Sequence, residues 1–128
     1  MAEKKRILVV DDEPDMIEML KTALETASYD VITGSNGEQA VQKTQSEKPD
    51  AIILDLMMPV KNGFEACSEI KNDPKTAAIP ILVLTAIGQH LSDTKYAKSM
   101  GLQLESEDFI QKPVDPTILL ERIESLLM

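Results

Sequence analysis

The sequence predicts an α/β fold in which a parallel, five-stranded sheet carries helices on both faces. Three observations predict it. The apolar runs at 7–10, 51–54 and 81–84 are unbroken and of strand length, as expected of strands covered on both sides. Patterns of helical period fill the gaps between them. Strand starts recur at roughly 20–30 residues, the size of a strand–helix–strand repeat.

The first strand, 7–10 (ILVV), runs straight into Asp11, Asp12 and Glu13. Pro14 suits a first helical position, Glu13 is placed to cap that helix, and Ile17, Leu20, Leu24 and Ala27 form one stripe. Residues 29–33 are fewer and alternate, which predicts an edge strand. Asn36 with Gln39 resembles a capping box ahead of Ala40, Val41 and Thr44. The third strand, 51–54, ends at Asp55. Asn62 and Gly63 then make a turn before a helix striped by Phe64, Cys67 and Ile70, which stops near Asp73 and Pro74. The fourth strand, 81–84, ends at Thr85. A weaker helix is predicted over 91–100, with Gly101 as its stop. Residues 108–111 form the fifth strand, around Phe109 and Ile110, and lead into Lys112 and Pro113. Asp115 caps and Pro116 opens the last helix, striped by Leu119, Ile123 and Leu126 or Leu127.

Composition bounds the function. The chain has 128 residues, 43% hydrophobic and 27% charged, which argues against a disordered chain and predicts one domain over 1–128. With two Tyr and two Phe, the core must be aliphatic, and several of the seven Met fill its gaps. A net charge of −9 opposes direct contact with nucleic acid or anionic membranes, and the basic residues are scattered apart from Lys4, Lys5 and Arg6. The first apolar run is too short for a secretory signal, and no stretch is long enough to span a bilayer. The single cysteine, Cys67, excludes an internal disulfide and a cysteine-based metal site; its place on a helix stripe predicts a buried core residue. A cytoplasmic chain is expected.

Crossovers in parallel sheets are right-handed, so ligands gather beyond the carboxyl ends of the strands. Asp11 and Asp12 lie there after the first strand, Asp55 after the third, Thr85 after the fourth and Lys112 after the fifth. Each alone has an ordinary structural explanation: acids beside a helix dipole, a turn aspartate, a strand-closing threonine, a Lys-Pro bend. Together they describe a pocket. Carboxylates about 5 Å apart repel by roughly 3 kcal/mol at an effective dielectric of 20, so three of them call for a cation. Hard oxygen donors without His or Cys suit Mg²⁺. Lys112 and the Thr85 hydroxyl can hold a phosphoryl group placed on Asp55, since a carboxylate can accept phosphate as an acyl phosphate.

These residues resemble the receiver domain of bacterial response regulators, particularly the stand-alone, chemotaxis-type regulators. VVDDEPD, ILDLMMPVKNG, PILVLTA and DFIQKPVD occur in order at the ends of strands one, three, four and five. The resemblance implies a flavodoxin-like (βα)5 fold with strand order 2-1-3-4-5. It implies that Asp55 is the phosphoacceptor, that Asp11, Asp12, Asp55 and the Met57 backbone carbonyl bind Mg²⁺, with Mn²⁺ a possible substitute, and that Thr85 and Lys112 bind phosphoryl oxygens. It further implies a cis peptide before Pro113 and a switch pairing Thr85 with the aromatic Phe109. A histidine kinase or a histidine phosphotransfer protein would be the donor. The output would be an altered surface of the 91–100 helix, the fifth strand and the last helix, offered to an unknown protein target, by a monomer or a phosphorylation-dependent dimer.

The segment 101–108 is longer than the family's usual link into the fifth strand. Met57 and Ile87 stand where family members flank the path of attacking water, and neither side chain can orient water, which implies a long-lived acyl phosphate. The same fold used as a phosphorylation-independent docking module, a pseudo-receiver, is the alternative, although such modules usually lack part of the pocket. A flavin or nucleotide binder is disfavoured because DDEPD would repel the phosphate that a glycine-rich loop cradles.

Overall fold

The computed structural model describes residues 4–56, 58, 61–85 and 107–128. Strands β1 (Arg6–Val10), β2 (Asp30–Gly34), β3 (Ala51–Asp55), β4 (Ile81–Thr85) and β5 (Asp108–Gln111) form one sheet in the order β2-β1-β3-β4-β5. Every pairing is parallel. Helices α1 (Pro14–Thr26), α2 (Gly37–Glu47), α3 (Gly63–Asn72) and a C-terminal helix (Pro116–Leu127) complete the described elements. The expected order, with β1 beside β3 and β2 at an edge, is the observed one. The helix expected over 91–100 lies outside the described residues.

Side chains alternate across the sheet and divide the core into two layers. Ile7, Val9, Ile53, Leu82 and Leu84 pack with Leu20 and Leu24 of α1 and Leu119 and Ile123 of the C-terminal helix. Leu8, Val10, Ile52, Leu54 and Ile81 pack on the other face with Ala40 of α2 and Ala66, Cys67 and Ile70 of α3. Cys67 is therefore a core residue, as its place in the sequence predicts. In α1 the stripe narrows: Leu20 and Leu24 are buried, Ile17 is half-buried and Ala27 is exposed. No helix among the described residues is long and apolar enough to cross a membrane.

The helix starts follow local chemistry. Asn36 Oδ1 accepts the Gln39 N–H at 2.9 Å, and Gln39 Oε1 returns a bond to the Ser35 N–H, one residue earlier than a capping box would place it. Asn62 is buried and caps α3 by accepting the Glu65 N–H at 3.0 Å, so it does more than turn the chain. Asp115 Oδ1 accepts the Thr117 N–H, as expected. Glu13 departs from expectation: it occupies the N-cap position of α1 but makes no side-chain cap bond among the described residues. Its carboxylate is drawn to Lys112 instead. α2 ends at Lys48 with φ of 46°, a left-handed conformation that glycine usually supplies.

Candidate functional site

The carboxyl ends of β1, β3 and β5 bring the expected residues together. Asp11, Asp12 and Asp55 each offer a carboxylate oxygen, and these oxygens lie within 4.8 Å of one another. Asp11 is fully buried, Asp55 nearly so, and Asp12 is exposed. Lys112 places its Nζ 3.2 Å from Asp11 Oδ2, 3.5 Å from Glu13 Oε1 and 3.6 Å from Asp55 Oδ2. The Lys112–Pro113 peptide is cis, as the resemblance implied.

Backbone contacts fix the acids. The Asp11 N–H bonds to the Gly34 carbonyl, and Asp11 Oδ1 accepts the Glu13 N–H at 2.9 Å. Asp11 Oδ2 lies 3.2 Å from the Lys112 ammonium as an ion pair and takes no hydrogen bond among the described residues. Burial pushes the Asp11 pKa up, against the Glu13 N–H and the Lys112 charge, which pull it down. At Lys112, burial pulls the ammonium pKa down, but Asp55, Asp11 and Glu13 together outweigh it and hold the value above the ordinary 10.5.

This donor set fits a magnesium ion. It consists of hard carboxylate oxygens, and one buried oxygen, Asp11 Oδ2, is short of a hydrogen-bond partner. Among the described residues Lys112 is the ammonium beside Asp11 and Asp55, and a divalent cation would further relieve repulsion among the clustered carboxylates.

The remaining expected residues are placed less completely. Thr85 closes β4, and its Cα is in register with Gln111, directly before Lys112. Phe109 lies on β5 and is half exposed. Met57, Ile87 and most of the 101–108 segment lie outside the described residues.

The close backbone contacts of two glycines were not legible in the sequence. A Cβ on Gly63 would lie 2.4 Å from the Asp55 carbonyl oxygen and 2.6 Å from Leu56 Cα, and the Gly63 N–H bonds to the Leu56 carbonyl. A Cβ on Gly37 would lie 2.0 Å from the Lys61 carbonyl oxygen, which accepts the Gly37 N–H. The chain leaving Asp55 is thus gripped by α3 and α2 at positions where only hydrogen fits. The Asn-Gly pair signalled a turn but not which backbone it would abut.

Comparison with known proteins agrees with this geometry. The family described as response regulator receiver domain matches residues 7–124. The alkaline phosphatase synthesis transcriptional regulatory protein PhoP of Bacillus subtilis is 41% identical over 96% of this chain. The alignment covers 48% of PhoP, so the chain spans about half the length of that relative. Among solved structures, the chemotaxis response regulator CheY4 of Vibrio cholerae superposes with a TM-score of 0.84 at 28% identity, covering 98% of this chain and 100% of that one. The receiver domain of the sensor histidine kinase PA1611 from Pseudomonas aeruginosa gives 0.85 at 26% identity, with 98% of each chain covered. That structure has a magnesium ion coordinated in its active site cleft.

Proposed function

The chain belongs to the response regulator receiver family, and from that membership we propose that Asp55 is its phosphoacceptor. The observation that carries the proposal is the pair of buried carboxylates, Asp11 and Asp55, facing the partly buried Lys112, with Asp11 Oδ2 left without a hydrogen bond among the described residues. Receiver domains take phosphoryl groups from histidine kinases; here the donor is a kinase or a histidine phosphotransfer protein. An Asp55 carboxylate oxygen attacks the phosphorus of the phosphohistidine. The O–P bond forms as the P–N bond breaks, and the departing imidazole takes up a proton.

Asp11, Asp12 and Asp55 would hold Mg²⁺, or Mn²⁺ in its place, together with the Met57 carbonyl. When bound, the ion supplies positive charge against the phosphoryl oxygens. Lys112 shifts from its carboxylates toward the phosphoryl group and neutralises part of it. The Thr85 hydroxyl hydrogen-bonds a phosphoryl oxygen, and Phe109 follows that movement as the switch aromatic. The altered surface around β5 and the C-terminal helix then meets a downstream protein. A net charge of −9 supports a protein partner over direct contact with nucleic acid or membrane. The proposed setting is the cytoplasm, and the proposed form a monomer or a phosphorylation-dependent dimer.

Incubation with acetyl phosphate and Mg²⁺ tests the acceptor. The protein should gain the mass of one phosphoryl group, stable in acid and lost in base, and Asp55→Asn should gain none. An unmodified wild-type protein that keeps its native circular dichroism would favour a docking module without phosphorylation.

A further inference from the structure

Three carboxylates surround the Lys112 ammonium among the described residues: Asp11 at 3.2 Å, Glu13 at 3.5 Å and Asp55 at 3.6 Å. Their fates during phosphorylation differ. Asp11 would be committed to the metal, and Asp55 becomes an acyl phosphate. Glu13 is consumed by neither, and its side chain caps no helix among the described residues, although it sits where a cap belongs. Its backbone is fixed by the N–H bond to Asp11 Oδ1, which holds residue 13 at the pocket mouth.

We propose that Glu13 is a positioning residue that competes with the phosphoryl group for Lys112. In the resting protein it shares the ammonium with Asp11 and Asp55. After phosphorylation it is, among the described residues, the resting partner still able to hold the lysine back. The lysine then divides between a carboxylate and the phosphoryl oxygens, so Glu13 lowers the occupancy of the phosphorylated state. This inference rests on Asp55 being the phosphoacceptor, and adds a residue that acts through Lys112 and does not touch the reacting atoms.

The size of the effect follows from exposure. The Glu13 side chain is 64% exposed, so its attraction for Lys112 is weakened by water and screened by salt. A change of about two- to fivefold is expected at low ionic strength, shrinking toward none near roughly 1 M salt.

Beryllofluoride, a phosphoryl mimic, gives a readout separate from turnover. With Mg²⁺ at saturation, Glu13→Gln should bind beryllofluoride about two- to fivefold more tightly than wild type, followed by calorimetry or amide NMR shifts. It should also reach higher acyl phosphate occupancy with acetyl phosphate. In a Lys112→Gln background, Glu13→Gln should bring no further gain. Equal affinity of wild type and Glu13→Gln would overturn the proposal. So would the same gain in the Lys112→Gln background, which would show only a general loss of negative charge. A wild-type protein that takes no phosphoryl group on Asp55 would instead refute the acceptor assignment, so the two failures are distinguishable.

Discussion

Asp11 is fully buried, and burial raises its pKa above the ordinary 3.8. The native protein therefore holds this proton more tightly than the unfolded chain does. Stability falls as pH rises through the interval between the two values, and above it the buried charge is a standing cost. Metal-free Asp11→Asn should accordingly unfold at a higher temperature than wild type near neutral pH, by about 1–3 kcal/mol in stability. That gain should close as pH falls through the interval, because the wild-type carboxyl is then neutral too. Mg²⁺ should raise the melting temperature of wild type and leave the variant nearly unmoved. Lys112 does not confuse the comparison. Its raised pKa means that its contribution is complete below 10.5 and is lost only as pH rises through the higher folded value. At this scale the aspartates and the lysine were legible, because each follows the end of a predicted strand. Glu13 was not: a cap and an ion-pair partner look alike in sequence, and only the position of Lys112 separates them.

The elements were legible where burial is two-sided. The runs at β1, β3 and β4 could be recognised because each strand is covered on both faces by helices. Boundaries shifted where a cap or a turn decided them. β2 begins and ends one residue later than the alternation suggested. The connection from β3 to α3 was the least readable element, since its constraint is an approach between backbones. Gly63→Ala would drive a Cβ against the Asp55 carbonyl oxygen, so either the backbone beside Asp55 or the start of α3 must move. Urea denaturation should show a loss of about 1–3 kcal/mol, with slower labelling of Asp55 by acetyl phosphate. Labelling at the wild-type rate would mean that α3, and not the backbone at Asp55, absorbs the strain.

Across the whole molecule, the pocket at the carboxyl ends of the strands is matched by an ionic tie at their opposite ends. Lys71 of α3, whose side chain is only 7% exposed, donates to the Ala77 and Ile79 carbonyls and pairs with Glu107. Glu107 in turn accepts the Ile81 N–H at 2.6 Å, and its own N–H bonds to the Ile81 carbonyl. One pair thus joins the end of α3 to the starts of β4 and β5. Glu107→Ala should leave the Lys71 ammonium short of its anion and cost about 1–2 kcal/mol, since Glu107 itself is partly exposed. Thermal unfolding measures the loss. Phosphorylation of Asp55 should proceed at the wild-type rate below the melting transition, because the tie lies a full strand length from the pocket.

Sequence alone determined the layered α/β plan and pointed to the acids and the lysine that the structure brings together at the strand ends. Apolar periodicity reports burial directly, and a strand's last residue is fixed by where its apolar run stops. Tertiary structure decided the rest: that Glu13 turns to Lys112, that Gly37 and Gly63 abut the chain leaving Asp55, and that Lys71 finds Glu107 across the fold. These contacts join residues from different elements or depend on where a loop packs. No local pattern encodes such distances, because they are set only when the helices close on the sheet.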